Sequence, residues 1–294
     1  MANKILCYGE MLWDVFPGKA VPGGAPMNVA ICLRKLGADV TFLSSCGNDR
    51  KGEELMKYLE ENGISTQYIQ KSNYPTGIVN VHLSENSEAT YEIVFPAAWD
   101  NISEPDNLAD FDVIVYGSLA CRHTSSFDTL KNLLVNKALK IYDVNFRPPY
   151  LDQSIVELLL GKADIVKMNH EELSLVSVWN KQKPNHLEQE ADFILQKYNL
   201  KILCVTLGRK GAFLMTPHDR IYQKGFRVNT VDTVGAGDAF LAGFIHYYLD
   251  NKALKETLEF ACRLGSYVVS HEGANPPFIK SNLYKLQEIN TTYT

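Results

Sequence analysis

Six short apolar segments, separated by longer amphipathic ones, set the pattern of this sequence. The short segments cover residues 4–8, 40–44, 113–116, 140–144, 164–167 and 202–206. Their nearly continuous apolar character is typical of strands that are buried on both faces of a sheet. Helical spacing of apolar residues lies between them, for example over 27–36 and 51–62, and a glycine follows each of these two helices as a stop signal. The alternation predicts an α/β fold with a mostly parallel central sheet and helices on both faces.

Two stretches depart from this alternation. Residues 76–83 and 90–95 are rich in β-branched and aromatic residues, and Glu85-Asn86-Ser87-Glu88 separates them, which predicts a β-hairpin. Such an insertion can be a lid over a site or an ordinary antiparallel edge, and the sequence favours neither. A second hairpin is predicted from Gly211 to Lys224.

Composition excludes several classes of protein. The formal net charge is -5, whereas nucleic-acid-binding domains present a basic surface. The apolar segment near the N-terminus is too short for a signal peptide or a membrane span. Six cysteines occur without a C-x-x-C pair, mostly inside apolar segments. We therefore expect a cytoplasmic protein with reduced thiols and no zinc site, which binds neither nucleic acid nor membrane.

Polar residues and glycines follow most of the predicted strands. In open parallel sheets ligands bind beyond the carboxyl ends of the strands, so these positions are candidates for a site. They are Glu10, Asp14, Gly117, Ser118, Asp143, Asn145, Asn169, Glu172, Thr206 and Gly208.

The most informative local pattern is Asp232-Thr233-Val234-Gly235-Ala236-Gly237-Asp238, which opens a helix predicted over 238–249. Its small residues let backbone N–H groups face a ligand, and a helix N-terminus adds unpaired donors and partial positive charge. These features suit the oxygens of a transferring phosphoryl group. Asp238 lies in the first helical turn, where it can hold an acceptor hydroxyl. The helix N-terminus makes Asp238 a weak base, which a loose phosphoryl-transfer transition state tolerates.

Glycine-rich segments also occur in capped helices, in dinucleotide-binding fingerprints and in P-loops, so these three alternatives have to be considered. The segment can be an aspartate that caps a helix after a glycine turn, and these residues alone leave that alternative open. A dinucleotide fingerprint needs a third small residue where Phe240 stands, and it belongs after the first strand. A P-loop is absent, because Glu53 follows Gly52 where lysine is required.

Two segments together resemble a known family. The Asp232 to Asp238 segment resembles the C-terminal signature of the ribokinase-like (PfkB) carbohydrate kinases. Gly23-Gly24-Ala25-Pro26-Met27-Asn28-Val29-Ala30 is similar to the family's N-terminal signature, and the resemblance covers essentially the whole chain. It implies a ribokinase-like three-layer α/β/α fold with a mostly parallel central sheet. It also implies a single kinase domain over 1–294, with a small β lid built from about residues 12–22 and 74–100.

The resemblance further implies roles for residues at the matching positions. The catalytic base would be Asp238, with an anion hole formed by Gly235, Ala236 and Gly237. Sugar hydroxyls would be bound by Asp14, Gly23, Gly24 and Asn28. The family's Asn-x-x-Glu motif corresponds to Asn169 and Glu172, which place Mg²⁺ and phosphate, with Glu172 acting on Mg²⁺ partly through water. Asn169 also suits a helix N-cap, and both roles can hold together.

ATP and its ions complete the implied site. Nucleotide contacts would come from Thr206, Gly208, Gly211, Gly273 and Asn275, besides the Asn-x-x-Glu motif. Many family members bind a monovalent cation near the equivalents of Asp232 and Val234, so K⁺ is a candidate cofactor beside ATP and Mg²⁺.

The opening residues point to a branch of the family. Residues 9–17 look most like the fructokinase branch, and Asp143-Val144-Asn145-Phe146-Arg147 is similar to a segment of fructokinases and 2-keto-3-deoxygluconate kinases. Arg147 is thus a candidate sugar contact, with a surface anchor as the equal alternative. We expect fructose to be converted to fructose 6-phosphate. Another sugar or sugar acid is the alternative, and a non-catalytic sugar-binding relative is a more distant one.

Two expectations concern side chains near the sugar and the assembly. A sugar-phosphate substrate would call for extra basic groups, for which the candidates are Lys19, Arg122 and Arg147, assisted by His123. Tyr91, Phe95 and Trp99 are candidates to cover the sugar, although hairpin aromatics more often pack. Exposed hairpin edges often form a dimer interface in this family, so the resemblance implies a homodimer through the β lid.

Overall fold

The computed structural model describes residues 3–83, 89–182 and 186–289. The chain forms two compact units, Met1–Ala138 (the N-terminal unit) and Leu139–Thr294 (the C-terminal unit). The segment Glu85-Asn86-Ser87-Glu88, predicted to separate two hairpin strands, lies outside the described residues.

The N-terminal unit contains a parallel sheet, helices and a second, smaller sheet. Its elements are β1 (Lys4–Tyr8), β2 (Leu12–Phe16), β3 (Lys19–Gly23), α1 (Ala25–Lys35), β4 (Asp39–Gly47), α2 (Arg50–Glu61), β5 (Ile69–Ser72), β6 (Gly77–Leu83), β7 (Ala89–Ile93), β8 (Val113–Gly117) and α3 (Thr124–Leu133). Strands β8, β1, β4 and β5 pair in that order, all parallel. Residues 5–8 of β1 are all buried, as predicted for a strand covered on both faces.

The smaller sheet has the order β3-β2-β6-β7. Strand β2 pairs antiparallel with β3 and parallel with β6, and β6 pairs antiparallel with β7. The pairing of β6 with β7 confirms the predicted hairpin. The β2–β3 hairpin falls within residues 12–23, which include the other part of the predicted lid.

The C-terminal unit combines parallel and antiparallel strands. Its elements are β9 (Leu139–Asp143), α4 (Gln153–Leu160), β10 (Ile165–Asn169), α5 (His170–Trp179), α6 (Leu187–Lys197), β11 (Ile202–Thr206), β12 (Gly211–Met215), β13 (Arg220–Lys224), α7 (Ala236–Leu249), α8 (Leu254–Val269) and α9 (Lys280–Leu283). Strands β9, β10 and β11 are parallel, and the predicted hairpin of β12 and β13 extends them antiparallel.

Register brings the carboxyl ends of the parallel strands together. In the C-terminal unit Lys167 pairs with Asp143 and Asn169 pairs with Thr206. The polar residues predicted to follow the strands therefore share one edge of this sheet.

Two findings bear on the class of protein. All six cysteines are buried and unpaired by disulfides, as expected from their apolar surroundings. In the part of the chain that the structure describes, no helix is both long and apolar enough to cross a membrane.

Candidate active site

Asp14 and Gly23, two predicted sugar-binding residues, lie against each other in the smaller sheet. Asp14 is on β2, and Gly23 is the last residue of the antiparallel neighbour β3. A Cβ at position 23 would overlap Oδ2 of Asp14. Because glycine leaves this space open, the carboxylate lies over the backbone just where the chain enters α1.

Gly24 and Asn28 form the first turn of α1. Gly24 is the N-cap with a φ of 114°, and a Cβ there would lie 2.5 Å from the carbonyl oxygen of Glu10. The N–H of Asn28 donates to the carbonyl of Gly24 at 2.9 Å, and Asn28 is buried. The four predicted sugar-binding residues of this unit are therefore gathered at one helix N-terminus, whose spare donors suit an oxygen-rich ligand.

Arg122, a candidate for binding a substrate phosphate, is engaged inside the N-terminal unit. Its Nε and Nη2 donate to the carboxylate of Asp100 at 2.7 and 2.8 Å, and Nη2 donates to the carbonyl of Val94 at 2.8 Å. Its guanidinium carbon lies 3.8 Å from the ring centre of Trp99. The side chains of Arg122, Asp100 and Trp99 are all buried. Trp99 is fully buried in the core, which matches the packing alternative that the sequence left open for this aromatic residue.

The loop before α7 in the C-terminal unit adopts a conformation that favours glycine. Gly235 is the N-cap of α7 with a φ of 76°, and a Cβ there would overlap Cβ of Ala274 and lie 2.6 Å from its Cα. Asp232 joins the same two segments, because Oδ1 accepts the N–H of Val234 at 3.0 Å and Oδ2 accepts that of Gly273 at 3.1 Å. The predicted anion hole therefore packs against the predicted nucleotide loop.

Asp238 is the third residue of α7 and is half-buried. The helix N-terminus favours its ionised form. The same negative charge interacts with the ammonium of Lys167 and helps to raise the pKa of that lysine. An ionised carboxylate in this position can accept a hydrogen bond from an acceptor hydroxyl, as the sequence predicts.

Lys167 is a buried charge between the apolar residues Val166 and Met168 of strand β10. Its register partner on β9 is Asp143, whose two carboxylate oxygens lie 2.9 and 3.2 Å from Nζ. A Cβ at Gly237 would lie 3.1 Å from the same Nζ, so the ammonium sits beneath the first turn of α7. Burial lowers the pKa of Lys167, whereas the negative charges of Asp143, Glu172 and Asp238 raise it. The net effect is a pKa above the usual value of a lysine. Lys167 is therefore a fixed cation.

Asn169 and Glu172 form a capping box at the start of α5, which confirms the predicted N-cap. Oδ1 of Asn169 accepts the N–H of Glu172 at 2.8 Å, and Oε2 of Glu172 accepts the N–H of Asn169 at 2.7 Å. Oε1 of Glu172 accepts the N–H of Phe146 at 2.8 Å, which ties the loop after β9 to α5. Burial raises the pKa of Glu172 and the charge of Lys167 lowers it, with a net upward shift.

The donor set around Glu172 fits Mg²⁺ held largely through water. Both carboxylate oxygens already accept a backbone N–H, and each keeps lone-pair capacity. Within 3–83, 89–182 and 186–289, no cluster of three or more His, Cys, Asp or Glu side chains could hold a metal ion. Mg²⁺ usually keeps several waters and takes one or two carboxylates together with substrate phosphates. The residues present are thus compatible with the predicted role of Glu172.

Three predicted nucleotide contacts lie at the end of β11 or shortly after it. Thr206 ends that strand, and Gly208, with a φ of 57°, opens the 3-10 helix Gly208–Lys210 with open space beside its Cα. At Gly211 a Cβ would overlap the carbonyl oxygen of Gln223 on β13. Close pairing of β12 with β13 therefore requires glycine at 211 whether or not a nucleotide binds, and its nucleotide role stays a prediction.

Arg147 and Asn275 complete the predicted set. Arg147 is exposed, and its Nη1 donates to the carbonyl of Phe146 at 3.0 Å, a contact that matches the surface-anchor alternative. Asn275 is half-buried in the loop after Gly273. The sugar contact of Arg147 and the nucleotide contact of Asn275 stay predictions.

The sequence did not assign a role to the pair of Lys167 and Asp143. A usable signal was present, since one lysine interrupts the apolar run Ile165-Val166-Lys167-Met168. A charge in a strand buried on both faces needs a partner, because an unpaired buried charge is very costly.

Comparisons with known proteins agree with both signatures. The family model for pfkB family carbohydrate kinases matches residues 3–281. Probable fructokinase-4 of Arabidopsis thaliana is 31% identical over 315 aligned residues, which cover 93% of each chain. A double-mutant fructokinase of Vibrio cholerae O395, in a fructose-, ADP- and potassium-bound form, gives a TM-score of 0.85 at 22% identity and covers 97% of this chain and 98% of its own. An uncharacterized sugar kinase of Pyrococcus horikoshii in complex with ATP gives 0.83 at 26% identity, covering 96% and 97%.

These similarities extend over nearly the whole chain. The predicted fold class, ribokinase-like α/β with a mostly parallel sheet and a smaller β sheet, is confirmed. The family match includes both signatures and the buried pair between them. The chain belongs to the pfkB family of carbohydrate kinases.

Proposed function

We propose that this carbohydrate kinase transfers the γ-phosphoryl group of Mg-ATP to fructose and forms fructose 6-phosphate. The proposal is carried by the first turn of α7, where Gly235 in a left-handed conformation leads into a helix N-terminus that bears Asp238. This turn offers N–H donors to phosphoryl oxygens and a carboxylate to an acceptor hydroxyl. The choice of fructose and ATP is supported by the curated relative named probable fructokinase-4 and by neighbours bound to fructose, ADP or ATP.

In this mechanism Asp238 orients the acceptor hydroxyl and takes its proton late in the transfer. The bond between the sugar oxygen and phosphorus forms while the bond from phosphorus to the bridging oxygen of ADP breaks. Backbone N–H groups at Gly235, Ala236 and Gly237 hold the equatorial oxygens of the transferring group. Glu172 would hold Mg²⁺ mainly through water. Such an ion, when bound, neutralises charge on the phosphates.

Charges in the N-terminal unit support an unphosphorylated acceptor. Asp14 would repel a substrate phosphate, whereas its carboxylate can accept hydrogen bonds from two sugar hydroxyls, and Asn28 can both donate and accept. Arg122 is bonded to Asp100, and Lys19 lies over the Phe16 ring at 5.6 Å from its centre. Another sugar or a sugar acid is the alternative substrate, because the exposed side chain of Arg147 can bind a carboxylate.

The remaining assignments are part of the same proposal. Nucleotide contacts are proposed for Asn169, Thr206, Gly208, Gly211, Gly273 and Asn275. The relative from Vibrio cholerae binds a potassium ion, which supports a K⁺ site near Asp232 and Val234. Residues 1–294 would act as one cytoplasmic kinase domain, in which the smaller sheet serves as a lid and as the contact of a homodimer.

An acceptor panel tests the function. With Mg-ATP and K⁺, we expect ADP release with fructose and little with ribose or adenosine, in line with the fructokinase names of the curated relatives. The carboxylate of Asp14 should exclude 2-keto-3-deoxygluconate and fructose 6-phosphate, because it repels their negative charges. Release with a different panel member would keep the kinase and replace the sugar. No release with any acceptor, although ATP binds, would contradict the proposed activity.

Asp14→Asn tests the sugar site separately. Losing a charged acceptor that bonds sugar hydroxyls should raise KM for the sugar about 10- to 100-fold, while the affinity for ATP stays the same. Steady-state kinetics and calorimetric ATP titration measure the two effects. Asp39→Asn, at the amino end of β4 and exposed, is the matched control and should behave like wild type. An unchanged KM in Asp14→Asn would move the sugar site elsewhere.

A further inference from the structure

A buried ion pair lies beneath the anion hole, and the mechanism above makes no use of it. We propose that Lys167 is a positioning residue for phosphoryl transfer. Its side chain supports the first turn of α7 and supplies a fixed positive charge under the anion hole. The proposal rests on the proposed function. It goes further, because it assigns a role in the transfer step to a buried side chain outside the mechanism described above.

Steric contact is the first support. The ammonium lies where a side chain at position 237 would have to be, since a Cβ there would be 3.1 Å from Nζ and 3.8 Å from Cε. Both carboxylate oxygens of Asp143 accept hydrogen bonds from Lys167, which restrains the ammonium in this position. Gly237, one of the three anion-hole residues, therefore faces this ammonium so closely that a side chain at position 237 would crowd it. A shorter or shifted side chain would leave that turn without support.

Charge is the second support. Three carboxylates, those of Asp143, Glu172 and Asp238, interact with the one ammonium of Lys167. Removing the lysine would leave this group of carboxylates facing the developing negative charge of the phosphoryl group without a buried cation. Helix N-termini stabilise anions only within the first turn, and a fixed charge below that turn adds to the effect. Because the charge of Lys167 is fixed in place before the reaction begins, it can stabilise the phosphoryl oxygens in the transition state without reorganisation.

A purely structural role is the alternative. In that case Lys167 only neutralises Asp143, and the transfer step does not depend on it. The two roles differ for the double variant Asp143→Asn/Lys167→Met, which removes both charges and leaves no orphan carboxylate at position 143. A structural role predicts normal turnover in the double variant. The proposed role predicts that turnover stays low.

The experiment compares Lys167→Met, the double variant and Lys201→Met with wild type. Lys201 pairs with Asp164 at 2.9 Å, at the amino ends of the strands, and serves as the matched control. A unit charge lost several ångströms from the anion, at an effective dielectric constant of about 20, should lower kcat about 10²-fold. KM for the sugar should stay within about threefold, because the loss is confined to the transition state. The double variant should stay at least about tenfold below wild type, and Lys201→Met should match wild type.

A binding measurement makes the test independent of turnover. Aluminium fluoride with ADP mimics the transferring phosphoryl group, and wild type should bind ADP more tightly when it is present. In both Lys167 variants this gain should be lost while the affinity for ADP alone is kept. Normal kcat in the double variant, or an intact aluminium fluoride effect, overturns the proposal. Failure of the proposed function shows itself differently, as absent turnover by wild type on every sugar, and the binding comparison then still decides the role of Lys167.

Discussion

Asp238→Asn is expected to lower kcat by about 10²- to 10⁴-fold while ADP and ATP bind nearly as tightly as before. Asparagine keeps the shape of the side chain and can still accept a hydrogen bond, but it cannot take the proton of the acceptor hydroxyl. Asp238 lies in the first turn of α7, where a helix N-terminus favours the ionised form of a carboxylate, and its charge interacts with that of Lys167. The loss should therefore appear in turnover and not in nucleotide affinity.

A matched variant at the other end of the same helix makes this result specific. Asp250→Asn removes an exposed carboxylate at the C-cap of α7 and should leave both kcat and nucleotide affinity at wild-type values. Rapid-quench measurement of the first turnover separates phosphoryl transfer from product release. If Asp238→Asn turns over within about threefold of wild type, the carboxylate of Asp238 has no part in proton transfer. Another residue would then have to be the catalytic base.

Much of the fold could be predicted from the sequence because the strands are buried on both faces. Segments such as residues 4–8 and 202–206 are apolar apart from Lys4 and Thr206, and they correspond to β1 and β11 with the predicted bounds. The helix predicted over 238–249 corresponds to α7, which begins two residues earlier, at Ala236. The pairing of β2 with β3 was harder to predict, because residues 12–22 alternate too weakly to indicate strands by themselves.

Contacts between side chains of distant segments could not be predicted from the sequence. Lys167 and Asp143 are neighbours only because β9 and β10 pair in a given register, and a shift by one residue would turn one side chain to the opposite face. Arg122 looked like a candidate phosphate ligand, since nothing in the sequence shows that Asp100 and Trp99 surround it. Arg122 was thus singled out from the sequence and Lys167 was not, and for both residues the partners, and therefore the roles, depended on the fold.

Gly235→Ala is the second change with a large expected effect. Alanine would have to adopt a φ of 76°, which costs roughly 1–2 kcal/mol in the left-handed region. Its Cβ would in addition overlap Cβ of Ala274 and approach its Cα to 2.6 Å, so one of the two loops must move. We expect the free energy of unfolding to fall by about 2–4 kcal/mol in total. Because the moved loop carries anion-hole donors, kcat should also fall about 10²- to 10³-fold.

Gly37→Ala separates the two contributions to this effect. Gly37 has a φ of 91° after α1, and a Cβ there would meet nothing within 4 Å, so only the backbone cost applies. Its variant should lose about 1–2 kcal/mol of stability and keep the kcat of wild type. Urea unfolding and initial rates measured on both variants give the comparison. Equal losses of stability, with normal turnover in both, would mean that the packing of Gly235 against Ala274 does not hold the anion hole. A larger loss at Gly235, accompanied by slow transfer, would instead tie the position of these donors to the loop that begins at Gly273.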